Sequence, residues 1–254
     1  MSDVQHSVLW GHDHPQLGVV ATEEISPRVA IALSRGKYPK GYPHLDPNED
    51  AVAAATDGRA TLLAVADGHS GHDAATAAIQ TIVDSASSLL AGVGPNPQRL
   101  LRNVLEEVAR AIGSTRAANS GERARSRTAL SIALLAPDLV TAVGFGDTRV
   151  VLVGRSGATF LGSPAPFLGS ETELTDVTVA DSPVTPGDTV LAASDGLLDF
   201  LGPDGLGRLA EMADGASAGG LARAAVEAAF EGAAGDNIAV AVGSVGVETS
   251  SQGE

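Results

Sequence analysis

Hydrophobic and polar positions change rhythm several times along this chain, and each change marks an element. The run 61–66 is almost wholly apolar over the length of a strand, which predicts a strand buried on both faces of a layered core. From residue 72 the spacing turns helical, with Ala77, Ile79, Ile82, Val83, Leu89 and Leu90 leading to a stop at Gly92. A second helix is expected over Pro97–Ala118, its apolar face made by Leu100, Leu101, Val104, Leu105, Val108 and Ile112. Two long helices in succession predict a layer covering one face of a sheet. From Thr128 the period shortens to two, in runs at 129–135, 140–145, 149–154 and 158–161. The short turns between them, among them Gly146-Asp147-Thr148, predict an antiparallel meander.

The remaining segments are read from turn and breaker residues. Short strands are expected at 19–22 and Val29–Ser34, then a Gly/Pro/basic loop at 35–47 and a strand at Ala51–Thr56. A two-residue turn at Asp57-Gly58 would pair residues summing to 115, bringing Glu49, Asp50 and Asp67 to one end of a hairpin. The stretch 119–127 reads as a solvated basic loop, with one wall of an anion site as the other reading. Beyond it lie a loop-rich segment with one strand at 174–179, a strand at 189–194, and helices at 197–201, 206–212 and 221–230. A last strand is expected at 238–245. No repeat or linker divides the chain, which predicts one domain over 1–248 and a disordered tail at 249–254.

Composition narrows the function classes. Aromatics make up only 3% of the 254 residues, so the core must be built from Ala, Val, Leu and Ile. The absence of Cys rules out disulfides and thiolate metal sites. A formal charge of -15 argues against nucleic acid and anionic membranes as partners, and leaves divalent cations as natural ones. With no leader-like N-terminus and no membrane-length apolar run, a cytoplasmic monomer is expected. His12 and His14 could serve as a metal pair, but with no third ligand nearby in sequence a solvated turn is the expected reading.

Four strand boundaries carry carboxylates: Glu49-Asp50, Asp67-Gly68-His69, Asp195-Gly196 and Asp236-Asn237. Gathered in one volume, two such charges about 5 Å apart repel by roughly 3 kcal/mol at an effective dielectric near 20. With no cationic residue inside those motifs, the expected counter-charge is metal. Carboxylates and a backbone carbonyl are hard oxygen ligands suited to Mg²⁺ or Mn²⁺. Two ions bridged by Asp67 would share a water and lower its pKa, which is a centre for phosphate ester hydrolysis.

Asn48-Glu49-Asp50-Ala51, Asp67-Gly68-His69-Ser70-Gly71, Gly146-Asp147-Thr148-Arg149, Ser194-Asp195-Gly196 and Gly235-Asp236-Asn237 together resemble, in order and spacing, the metal-dependent PP2C (PPM) protein phosphatases of bacterial type. The resemblance spans about 48–245 and implies an α+β fold, a four-layer α-β-β-α sandwich with two antiparallel sheets. It implies dephosphorylation of phosphoserine and phosphothreonine in proteins, with two Mn²⁺ or Mg²⁺ ions and room for a third. Asp67 would bridge both ions, the Gly68 carbonyl would bind one, and Asp195 and Asp236 the other. Glu49 and Asp50 would hold metal waters or ligate directly, and Asp147, with Asp195, would serve a weaker third ion. His69 would be the general acid, with Asp50 beside it at the catalytic water, while His72 is expected to be dispensable.

Two positions depart from the family pattern. Leu45 stands where the family carries a phosphate-gripping Arg, and 154–187 lacks the flap's Asp-His-Ser element. Lys40 or Arg35 of the basic loop is one expected substitute for that Arg, and a solvated basic turn with no such role is the other reading. The departures leave two other classes in view: a phosphatase of small phosphate esters, and a weakly active sensor or scaffold on the same fold.

Overall fold

In a computed structural model, residues 3–94, 96–169, 174 and 177–246 are described, and their strands form two six-stranded antiparallel sheets. The first sheet has the order β1 (Gln5–Trp10), β4 (Ala51–Thr56), β5 (Thr61–His69), β6 (Arg127–Leu135), β7 (Leu139–Phe145), β10 (Ala180–Pro183). The second runs β2 (Ala21–Ser26), β3 (Val29–Ser34), β12 (Ile238–Ser244), β11 (Thr189–Ala193), β8 (Arg149–Gly154), β9 (Gly157–Leu161). Helices α1 (Asp73–Asp84), α2 (Ala86–Gly92) and α3 (Pro97–Ala118) cover the first sheet. The second is covered by α4 (Asp195–Leu198), α5 (Gly205–Ala213) and α6 (Ala218–Glu231). This is the expected four-layer α-β-β-α sandwich. No helix among the described residues is long and apolar enough to cross a membrane.

Side-chain parity explains the continuous apolar runs. In β4, Ala51, Ala53 and Ala55 face the helices with Ile79 and Leu105, while Val52 and Ala54 face the other sheet. In β5, Leu62, Ala64 and Ala66 share the helix side, whereas Leu63 and Val65 lie between the sheets against Ile31, Leu33 and Ala241. Alanine on the helix side lets α1 sit close to the sheet, which suits a chain so poor in aromatics. With both faces covered, neither side of these strands needs a polar residue until the sheet ends.

Several expectations are corrected. The β4–β5 loop has four residues rather than two: Thr56 pairs with Thr61 and Ala51 with Ala66, so paired positions sum to 117. One step beyond, Asp50 lies across from Asp67 itself. Asp67-Gly68-His69 does not follow the strand but continues it, because β6 carries its pairing on to Arg127. The expected meander is broken, since β7 belongs to the first sheet and β8 to the second. Gly146, at φ +67°, steers the chain across the sandwich at that point. The helix expected over 72–92 breaks at Ser85 into α1 and α2. The strand expected at 174–179 lies partly outside the described residues, and the pairing there belongs to β10 instead. The proposed tail at 249–254 also lies outside them.

Candidate metal centre

The inter-sheet face continues past the apolar core into the site. Positions 50, 52 and 54 and positions 63, 65, 67 and 69 share that face, so alternation carries Asp50, Asp67 and His69 into the mouth between the sheets. Asp195 arrives as the first residue of α4, two residues past the end of β11, and Asp236 stands two residues before β12. Asp147 occupies the crossing from β7 to β8. Its ligand oxygen, one of Asp67 and a ring nitrogen of His69 all lie within 4.8 Å of one another. Asp50, Asp67, Asp147, Asp195 and Asp236 thus lie close enough to act on one another at one end of the sandwich, with Glu49 joined to them through Lys40.

Two glycines are required by close approach rather than by turning. A Cβ on Gly68 would sit 2.5 Å from the Glu49 carbonyl oxygen, and one on Gly196 would sit 1.9 Å from that of Asn237. The second contact seats α4 against the start of β12, fixing Asp195 relative to Asp236. Asn237 locks the same region from inside. Its Oδ1 accepts from the Glu49 amide at 2.9 Å, and its Nδ2 donates to the Arg35 and Pro47 carbonyls at 3.2 and 3.1 Å.

Electrostatically the centre is unfinished. Asp50 and Asp67 are buried, yet both oxygens of Asp50 and Oδ1 of Asp147 have no hydrogen-bond partner among the described residues. Burial, reinforced by Asp67, pushes the Asp50 carboxyl well above the usual range. Burial likewise pushes Asp67 up to about 7 against the pull of Lys40, and pushes Asp195 up to about 8 with help from Asp67 and Asp147. Unpaired buried carboxylate oxygens are costly and call for a cation. The donor set is all hard oxygen apart from one imidazole, and it fits Mg²⁺ or Mn²⁺.

The remaining predicted residues are distributed unevenly. Glu49 has one oxygen occupied by three amides, those of Leu45, Asp46 and Gly71 at 3.2, 3.3 and 2.8 Å, leaving the other to face the centre. His69 Nε2 lies 3.6 Å from Asp67 Oδ2, and its ring meets Phe167 edge-on at 4.7 Å. Lys40 does not stand free to receive phosphate. Its ammonium is buried in the cluster, 3.0 Å from Asp236 Oδ1 and 3.9 Å from Glu49 Oε2. The expectation of a cluster without a cation is thereby corrected. Arg35 points away from the centre, donating to the Pro15 carbonyl at 2.8 Å.

Two features escaped the sequence. Arg123, in the stretch expected to be solvated, bridges Asp46 and Asp73. Asp46 also accepts from the His72 amide at 3.1 Å and pairs with its Nδ1 at 2.8 Å, so His72 helps to fasten the loop. Burial tends to raise the Asp46 carboxyl, but the Arg123 and His72 bonds outweigh it and hold it near 2. The second feature is Arg127. It pairs directly across from His69 on β6, stacks over Phe167 at 4.9 Å, is exposed, and forms no ion pair among the described residues. Its only sequence signal was membership of the basic stretch.

A layered sandwich with a carboxylate cluster at the end of its inter-sheet core defines a metallohydrolase-like site. The chain belongs to the protein phosphatase 2C family, whose model matches residues 43–214. No curated protein sequence matches it. Among solved structures it is similar to the Mycobacterium tuberculosis serine/threonine phosphatase PstP/Ppp, at 22% identity and TM-score 0.67, over 90% of this chain and 100% of that one. The PstP catalytic domain in complex with two manganese ions matches at 20% identity and TM-score 0.62, over 96% and 100%. MsPP, a PPM Ser-Thr phosphatase from Mycobacterium smegmatis in complex with cacodylate, matches at 20% identity and TM-score 0.59, over 91% and 100%.

Proposed function

We propose that this protein is a divalent-metal-dependent phosphatase of phosphoserine and phosphothreonine in proteins. The observation that carries this reading is the buried Asp50 carboxylate, unpaired on both oxygens beside Asp67, Asp195 and Asp236. Asp67, the Gly68 carbonyl, Asp195 and Asp236 would hold two Mn²⁺ or Mg²⁺ ions, with Glu49 and Asp50 on their waters and Asp147 toward a third. The two manganese ions of the PstP complex support that assignment. Bound there, the ions would supply an activated water and neutralise phosphate charge. The chain's own part is to hold a proton at His69 for the leaving alkoxide, to orient that ring on Phe167, and to keep Asp50 dry.

A protein substrate is favoured by the rim of the centre. Tyr38, Tyr42 and Leu45 are exposed on the loop beside the carboxylates, an apolar surface that a small ester would not need. The deciding experiment measures Mn²⁺-dependent phosphate release from phosphothreonine peptides and from a panel of phosphorylated metabolites. The expected result is turnover of the peptides, lost in Asp195→Ala. Preference for a metabolite would favour the small-ester reading, and no turnover of either would favour the sensor.

Phosphate binding is assigned to Arg127, since Lys40 and Arg35 are engaged elsewhere. An exposed guanidinium across the strand from His69 can reach a phosphate beside that imidazole. Arg127→Ala is expected to raise KM for phosphopeptide about 10–100-fold with a smaller change in kcat. An unchanged KM would mean that the metals alone hold the phosphate.

A further inference from the structure

Lys37 and Lys40 are the only lysines in the chain, and they sit three residues apart in one loop. Lys37 is exposed, whereas the Lys40 side chain is only 3% exposed and ends inside the carboxylate cluster. The contacts of Asp236 show how fully it is engaged. Its Oδ1 accepts from the Asn237 amide at 2.7 Å and meets Lys40 Nζ at 3.0 Å, while its Oδ2 accepts from the Tyr42 hydroxyl at 2.8 Å. The Lys40 ammonium also lies 5.3 Å from the centre of the Tyr42 ring. Residues 40 and 42 thus cover a carboxylate that, on the reading above, is a metal ligand.

We infer that Lys40 is a tethered counter-ion of the metal centre, seated among the carboxylates when no metal is bound and expelled from them by divalent ions. The inference rests on the metal reading and adds a loop that responds to occupancy. Buried acids must be paired or neutralised, and here an ammonium lies nearest to Asp236 and next to Glu49. A divalent ion on Asp236 would then face a like charge held by the same carboxylate, and the two repel strongly at that range. Lysine suits such a role, because its charge is compact and its stem is flexible enough to withdraw. The loop has anchors of its own: the Lys37 and Tyr38 amides both bond to the Ala234 carbonyl, at 2.9 and 3.0 Å. Release of Lys40 can therefore move the 39–45 segment without unfastening its base.

Two measurements on the full chain test this. Calorimetric titration with MnCl₂ should show Lys40→Met binding Mn²⁺ at least about tenfold more tightly than the native chain, because expulsion no longer opposes binding. In the native chain, acetylation by an amine-reactive ester followed by mass spectrometry reads Lys40 against Lys37 as internal control. Lys40 should be protected in EDTA and modified several-fold faster with saturating Mn²⁺, while Lys37 stays constant. Equal or weaker Mn²⁺ binding by Lys40→Met overturns the inference, as does Lys40 protection that Mn²⁺ leaves unchanged or deepens. Both leave the metal reading standing. If neither chain takes up Mn²⁺ at all, the metal reading itself fails and this inference falls with it.

Discussion

Chelation of divalent metal is expected to abolish turnover, by at least about 10³-fold, while leaving a folded chain whose stability has become sensitive to pH. The loss of activity follows from the proposed reading, in which metal held by this carboxylate donor set supplies the activated water. The pH effect follows from the same carboxylates. Without metal, burial and neighbouring acids raise Asp67 to about 7 and Asp195 to about 8, and Asp50 moves in the same direction. In the unfolded chain these groups lose their protons near the ordinary carboxylate value of about 4. Between about pH 4 and 8 the folded state therefore binds more protons than the unfolded state, and raising the pH favours unfolding. The stabilisation is complete below the unfolded value and is lost as pH rises through 7 to 8. Asp46, held near 2, acts with the opposite sign and has delivered its full contribution above about pH 4, so it does not mask the trend. In EDTA the melting temperature should fall by about 10 °C from pH 5 to pH 8, and saturating Mn²⁺ should flatten the profile. Full activity in excess EDTA would sink the metal argument, and a melting temperature that rises with pH would contradict the assigned burial.

Legibility in the sequence followed how local each cause was. The bounds of β3, β4 and α3 could be read directly, because burial on two faces gives an unbroken apolar run and a helical face repeats within its own segment. The carboxylate ends were legible for the same reason: a polar residue closing such a run stands out. Asp67-Gly68 was misread as the end of a strand because Asp-Gly usually marks a turn. What keeps it extended is β6, sixty residues further on, and no local pattern shows that. Gly146-Asp147-Thr148 likewise has the chemistry of a hairpin turn, and only the two sheets reveal it as a crossing. The edge strand β1 was missed because most of its residues are not buried, so its hydrophobic signal is weak. Lys40 within the cluster and Arg123 between Asp46 and Asp73 are contacts across 9 to 196 residues of chain, set by tertiary packing alone.

His69→Ala should lower kcat on phosphoserine peptides by about 10²–10³-fold and on p-nitrophenyl phosphate by less than about tenfold. The argument rests on the leaving group. A serine alkoxide is a strong base and departs readily only when protonated, whereas nitrophenolate leaves without help. In the structure His69 Nε2 is buried, lacks a hydrogen-bond partner among the described residues and lies 3.6 Å from Asp67 Oδ2, which on the proposed reading would leave it to face the substrate. Burial lowers its pKa, with Arg127 and Lys40 acting in the same direction and Asp147 and Glu49 against it. A phosphate dianion arriving beside the ring supplies the missing negative charge and favours the imidazolium. Phe167 keeps the ring edge-on, so the proton is presented from a fixed position. His72→Ala is the matched control. It removes a side chain that pairs with Asp46, so it should cost melting temperature through the loop while leaving the ratio of the two substrate rates unchanged. Equal losses on both substrates in His69→Ala would place that residue in support of the fold or the metal ligands, and would return the proton donor to solvent.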